Sequence, residues 1–403
     1  MTLTPLKLAS LAAFCGLAAG AAHAGATSWD PAFAFSGFGT LGYVQTNTDT
    51  ALYAGPGQAG GASKDGTAGV DSKIGGQVNL KANNVFSATV QALSQRNGEG
   101  NFKPAIEWAF AKAQVTPDLG VRVGRIGAPL FMVSDFRSIG YSNLWVRTPL
   151  EVYGQVPYSH FDGADAIYQT TLGSTTLTTQ LFGGKSDDVA STIHVHIRKQ
   201  LGLNVTAEFE NGLTLRAGTA HGKLTVDNTT VLPLLAGLRQ ATFTGVADQI
   251  EATDKDAWFS GIGLGWDHEN WVANLEYTKR KTASYVSSTT GWEATLGYRV
   301  GKFTPYAVVS QLKVDSSNVD NIVPTTVPQL APLAGFVNQL LARQDLAQKT
   351  GAAGVRWDVW KNIALKAQYD RVKPAGTVGL FNRVTGTLPG AVSVYSVAAD
   401  FVF

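Results

Sequence analysis

Apolar and polar residues alternate one for one along much of this chain, and that rhythm limits its possible folds more than any other feature. Between residues 72 and 82, Ile74, Val78 and Leu80 share one face while Lys73, Gln77, Asn79 and Lys81 share the other. A period of two is the signature of a strand with one apolar and one wet side. Asn83 and Asn84 then predict a tight turn into Phe86, Ala88, Val90 and Ala92, opposed by Ser87, Thr89, Gln91 and Gln95, which completes a hairpin. The same pattern recurs in Trp258, Ile262, Leu264 and Trp266, in Val272, Asn274, Glu276, Thr278 and Arg280 as a wet face, and in Trp292, Ala294, Leu296 and Tyr298 with Glu293, Thr295 and Arg299 between them.

Composition sharpens the constraint. Apolar residues make up 44% of the chain and charged residues 15%, against about 25% charged in an ordinary soluble domain. Beyond the first 24 residues no apolar run reaches the roughly 18 needed for a membrane helix. In hydrocarbon every backbone amide must be paired internally, so strands can span a bilayer only as a closed barrel. Short links near 117–120, 172–174, 210–212, 267–270, 300–302 and 359–362 alternate with long connections near 46–71, 96–104, 126–160, 184–198, 226–255, 282–289, 315–347 and 373–390. That layout predicts an all-β, transmembrane antiparallel barrel of about sixteen strands, with turns at one rim and loops at the other. Trp258 and Trp266 lie eight residues apart on one face, about 19 Å once the strand tilts, close to the spacing of two interfacial aromatic girdles.

The first 24 residues read as an export signal. Lys7 precedes an apolar stretch too short to span a bilayer, and Ala22-His23-Ala24 offers a small-residue cleavage site. Removing residues 1–24 takes the only cysteine, Cys15, and leaves residues 25–403 as the barrel. It also leaves 31 basic residues, 32 less Lys7, against 30 acidic ones. A net charge of +1 gives no footing for nucleic-acid binding.

At the end of the chain Tyr395, Val397, Ala399, Phe401 and Phe403 share one face. A last strand closing on a terminal Phe resembles the assembly signal of outer-membrane proteins, with Tyr395, Phe401 and Phe403 as its aromatic positions. The stretch from Phe33 to Tyr43 is similar to the first strand of a porin, and the resemblance to the Gram-negative outer-membrane porins, a general-porin-like branch, spans nearly all of residues 25–403. It implies an outer-membrane channel for passive diffusion of small hydrophilic solutes and ions, exported through the periplasm. It further implies a homotrimer, contacts with outer-membrane lipid and lipopolysaccharide, biogenesis through the barrel assembly machinery, and no cofactor.

The connection near 126–160 follows the fifth strand, which is the place of the third loop that folds into the barrel in general porins. Its length alone points to function, and Phe131, Phe136, Tyr141, Trp145, Tyr153 and Tyr158 are too many aromatics for a loop standing in water. Asp135, Glu151 and Asp162 bring negative charge here, and Arg137 and Arg147 bring positive charge. The resemblance places Asp135 and Glu151 opposite Arg122, Arg125 and Lys112 across a constriction, where charged groups in a confined lumen would select ions. The competing reading is that such pairs only pin the loop to the wall. Arg125 shares the outward parity of Val121 and Val123, so it requires a kink near Gly124 or an interfacial position.

Two other connections carry helical patterns: Leu333, Val337, Leu340 and Leu341 within 330–344, and a similar start within 231–247. They read as lids, subunit contacts or simple caps over the barrel mouth. A substrate-specific channel with Trp145 and Tyr141 as a binding track is one rival to an open pore, and an outer-membrane hydrolase is another. No nucleophile elbow or zinc-protease helix motif occurs. His194 and His196 share a strand face but lack an evident third metal ligand. The glycines of 55–60 lack the strand and helix of a dinucleotide site, and the acids of 315–320 fit a solvated loop.

Overall fold

The computed structural model describes residues 32–190, 193–315 and 317–403, so the export signal expected over residues 1–24 lies outside the described residues. Sixteen strands close into one antiparallel barrel. In chain order they are β1 (Ala32–Thr46), β2 (Lys73–Lys81), β3 (Phe86–Gln95), β4 (Ala105–Gln114), β5 (Leu119–Gly127), β6 (His160–Leu172), β7 (Thr175–Ala190) and β8 (Ile193–Phe209). The second half comprises β9 (Leu213–Asp227), β10 (Lys255–His268), β11 (Trp271–Thr282), β12 (Thr289–Tyr298), β13 (Phe303–Val314), β14 (Gln348–Trp360), β15 (Ile363–Pro374) and β16 (Val392–Val402). Each strand pairs with its sequence neighbour, and β1 closes the ring by pairing with β16 from Phe38↔Val402 to Thr46↔Val394.

The alternation read from the sequence sorts the two faces with inverted polarity. On β1 Leu41 is 68% exposed while the adjacent Thr40 is 1% exposed. On β15 Leu365 and Tyr369 face outward, whereas Lys366, Gln368 and Asp370 are buried inside. Soluble proteins hide their large apolar groups and show their charges, so an exposed greasy band around a polar interior identifies lipid as the outer solvent. Aromatic side chains cluster where the strands meet the short turns: Trp271 packs edge-on to Tyr298 at 4.7 Å and Phe303 stacks on Trp357 at 5.5 Å. Trp258 and Trp266 both lie on the outward side, near opposite ends of β10.

One expected connection differs. Residues 184–198 belong mostly to β7 and β8, whose ladder continues through a bulge between Gly184 and Ser186. The polar outward residues that suggested a loop are a cross-strand network in which His196 contacts Asp187 at 2.5 Å and Asp227 at 3.0 Å. Strands rising past the hydrocarbon can carry such charges on their outer face.

The other long connections hold helices. α1 (Leu150–Tyr153) lies within residues 128–159, α2 (Leu232–Gln240) and α3 (Thr244–Ile250) lie between β9 and β10, and α4 (Ala331–Ala342) lies between β13 and β14. The last three pack through Leu235, Leu238, Val246, Ile250, Ala334 and Val337 into one apolar cluster. On the other side of the barrel, Leu52–Tyr53 and Phe381–Asn382 form a two-stranded ribbon that joins the first and last long connections above the β1–β16 seam.

Candidate functional site

The segment 128–159 leaves β5 at a bend that the sequence requires. Gly124 has φ +132°, and a Cβ there would lie 2.3 Å from the carbonyl oxygen of Ala109, so only glycine fits without strain. Past the bend, Arg125 pairs with Asp162 on the outward parity, with Nε 2.7 Å from Oδ1. The backbone is unusual at Gly124, one of the two readings the parity allowed, yet Arg125 keeps its outward side. Arg125 and Asp162 engage each other instead of facing Asp135 or Glu151.

Residues 128–159 then hydrogen-bond to the inward side chains of β8, β9 and β11 through β16. Arg216 of β9 donates to the Pro129 carbonyl at 2.7 Å. Glu276 of β11 accepts from the Met132 amide at 3.0 Å and from the Tyr153 hydroxyl at 2.6 Å. Trp145 Nε1 donates to Thr295 Oγ1 of β12 at 2.8 Å. Glu151, wholly enclosed, accepts from Ser310 of β13 at 2.8 Å and from Gln348 of β14 at 2.7 Å. Arg356 of β14 donates to the Tyr141 carbonyl at 2.6 Å.

Lys366 is the densest of these anchors. Its Nζ donates to the carbonyls of Gly140, Asn143 and Trp145 at 2.7 to 2.8 Å and pairs with Asp400 at 2.8 Å. The ammonium thereby gathers the carbonyls around the 3-10 turn Gly140–Ser142, where Gly140 also accepts from the Asn143 amide and Asn143 from Arg356. Arg147 reaches Asp71 at 2.6 Å and Ser396 at 2.8 Å, with Asp370 at 3.5 Å. Burial alone would lower its basicity, but Asp71, Tyr53 and Asp370 raise it well above the ordinary arginine value, so it stays charged. Burial, reinforced by Glu276, lifts the Tyr153 hydroxyl well above its usual range and keeps it a donor.

The apolar side of the segment is equally engaged. Phe131 packs on Tyr153 at 4.8 Å and on Phe259 of β10 at 5.1 Å. Together with Trp145, Val152 and Tyr158 they belong to a cluster that also takes in Tyr306 and Val308 of β13. Tyr141 lies under the Arg356 guanidinium at 4.8 Å.

The remaining expected site residues fall in other surroundings. Arg122 binds Asp165 at 2.5 Å on the inward face, where Gln180 also donates to that carboxylate at 2.7 Å. Lys112 stands opposite Arg122 in the β4–β5 register. Asp135 is exposed, with Arg216 the basic group its charge acts on. Arg137 is buried enough to lower its basicity, and the charges of Glu107 and Asp188 oppose that shift. The structure thus brings Arg122 and Lys112 together, and places Glu151 with β13 and β14 instead of across from them. Sequence reasoning missed Asp71, Lys366, Gln368 and Arg356 as partners. The inward parity of Lys366, Gln368 and Arg356 was readable and Asp71 fell in a long connection, but these contacts join positions up to more than two hundred residues apart.

No protein-family model matches this sequence, and no curated protein matches it. Solved structures do. The chain superposes on OmpF of Salmonella typhi, determined with daunomycin, at TM-score 0.55 and 14% identity over 92% of this chain and 97% of that one. It superposes on the outer membrane channel DcaP of Acinetobacter baumannii at 0.55 and 11%, over 93% and 97%. The anion-selective porin from Comamonas acidovorans gives 0.52 and 12%, over 93% and 100%. The fold is that of the outer-membrane porins, and at these identities the likeness concerns the fold alone.

Proposed function

We propose that the chain is an outer-membrane porin, a water-filled passage for passive diffusion of small hydrophilic solutes and ions. Residues 128–159 act in it as an inward-folded third loop that narrows the lumen. The observation that carries this reading is the row of hydrogen bonds from that segment to inward side chains of β9 and β11 through β16, anchored by Lys366, Glu276 and Glu151. A barrel of sixteen strands is wide enough to hold water, and a segment fixed along one side sets what passes along the other. Asp135, Arg137, Arg122 and Lys112 are the charges this proposal places beside the passage. Residues 1–24 are removed on export, and the mature chain forms a homotrimer, the form in which an outer membrane protein of Vibrio cholerae with this fold was solved.

Trp145 and Tyr141 are engaged with Thr295 and Arg356, which favours an open pore over an aromatic track. A hydrolase reading would turn to Ser159, His160 and Glu107, yet both contacts of the ring fall on Nδ1, at 3.3 and 3.8 Å. A base between nucleophile and carboxylate needs one on each ring nitrogen, so the grouping favours the channel. Single-channel recording in a planar bilayer tests the proposal. Stepwise, ohmic conductance is expected, and a purified, folded barrel that conducts nothing would refute it.

A further inference from the structure

The inward wall of β6 to β9 carries polar side chains that the protein itself does not use. Gln169 of β6, Thr178 of β7, Thr206 of β8 and Arg216 of β9 are consecutive cross-strand partners in one row. The next row toward the middle of the barrel is Gln180, Asn204 and Gly218. Among the described residues, the side chains of Gln169, Thr178, Asn204 and Thr206 bond to no other protein group. Elsewhere the wall differs: Gln91 and Gln77 satisfy each other, and Glu276 and Lys366 are taken up by residues 128–159. Asn204 is only 5% exposed, and its Oδ1 is enclosed without a donor, an unfavourable state for a polar atom. A Cβ built on Gly218 would stand 3.3 Å from that oxygen, so the glycine leaves a notch beside it.

At this height the inward segment covers only the wall beyond the patch. Arg216 marks the edge, donating to the Pro129 carbonyl at 2.7 Å, and a Cβ on Gly261 of β10 would stand 3.6 Å from the Leu130 carbonyl. The nearest neighbours of Gly218 belong instead to β8. Successive inward positions lie about 7 Å apart along a strand and about 5 Å apart across strands, so hydroxyls and carboxamides are spread over the breadth of a small ring. Hydroxyls both donate and accept, and a carboxamide does so from one rigid group. The charges around them are compensated: Arg216 feels Asp135, and Asp165 is held by Arg122 and Gln180. A neutral ligand that donates and accepts at neighbouring carbons matches this surface better than an ion does.

We propose that this patch is a recognition site for a neutral polyhydroxylated solute of monosaccharide size. Gln169, Thr178 and Thr206 bond to its hydroxyls, and one hydroxyl enters the notch at Gly218 and donates to Asn204. The inference rests on the open passage proposed above and names the class of solute held on its wall.

The test is saturation-transfer NMR on the full mature protein in detergent, with glucose as the probe and tetraethylene glycol, a neutral chain with hydroxyls only at its ends, as the control. Saturable glucose binding is expected, and it should weaken at least roughly tenfold in the double variant Thr178→Val/Thr206→Val, which loses two hydrogen bonds without changing shape. Gly218→Ala, which fills the notch, should weaken it as well, and the double variant carries the test if Gly218→Ala fails to fold. Thr89→Val, equally inward on β3, should bind glucose like the parent. Glucose binding no better than the glycol overturns the proposal, and so does parent-like affinity in the double variant or an equal loss in Thr89→Val. Bilayer recording of the same protein separates the two readings: ohmic steps without glucose binding remove this site and keep the channel, whereas glucose binding by a barrel that conducts nothing keeps the site and counts against the channel alone.

Discussion

The two halves of the barrel wall use the same alternating pattern for different ends. On β2 and β3 the inward polar groups bond to one another: Gln91 donates to Gln77 at 2.8 Å and Thr89 to Asn79 at 2.8 Å, and Gln77, Asn79 and Thr89 keep partial exposure. On β15 every inward position from Ala364 to Val372 is buried, and Lys366 and Gln368 donate to or accept from residues 128–159. A polar inward face is therefore not by itself a pore lining. It stays partly exposed where its groups satisfy each other, and it is a docking strip where carbonyls and carboxylates of another segment complete it.

Replacing a docking residue should have the largest effect. Lys366→Met removes the cation paired with the buried Asp400 carboxylate and the donor shared by three carbonyls, and breaking a buried pair on one side costs roughly 3–5 kcal/mol. A lower melting temperature of the folded barrel and a larger, noisier conductance are expected, and a variant matching the parent in both would dissolve the contrast. Tyr153→Phe removes one hydrogen bond to Glu276 and leaves a buried carboxylate short of a donor, at about 1–3 kcal/mol. Thermal unfolding should show that loss with the reversal potential unchanged; a shift in selectivity would mean Tyr153 faces the passage after all.

For the charges proposed to border the passage the expectation reverses. Asp135→Asn should alter stability by less than about 0.5 kcal/mol yet shift the reversal potential toward anions, while Lys112→Gln shifts it toward cations. If neither moves the potential under a salt gradient, those residues do not border the passage. The smallest effect is expected from Arg125→Gln, whose partly exposed pair with Asp162 contributes at most about 1 kcal/mol. Selectivity should stay constant, and any change would relocate Arg125 to the interior.

Much of the fold was legible because a barrel in lipid repeats one rule. Sixteen strands, the links between them and the helical patterns at 231–247 and 330–344 follow from local periodicity, and Gly124 followed from a parity conflict at Arg125. The 184–198 stretch misled because outward polar residues such as His196 and Arg198 look like loop composition when a strand continues beyond hydrocarbon. The docking partners were illegible for another reason. Glu151 could be seen as a charge, but nothing near it in sequence indicates that Ser310 and Gln348 will enclose it, since that depends on how far round the ring the segment travels. Arg147 likewise finds Asp71 only through three-dimensional closure.

The seam between β1 and β16 has a consequence for biogenesis. Fifteen of the sixteen strand pairings join neighbours in the chain, whereas this one joins Thr40 to Asp400, 360 positions away. Local hairpins zip quickly, and a pairing that must close so long a loop comes late. Until it forms, two bare edges and a greasy outer band are open to any other strand. The ribbon formed by Tyr53 and Phe381 bridges that junction from above, a latch that would hold the last join shut once the cylinder has come round on itself.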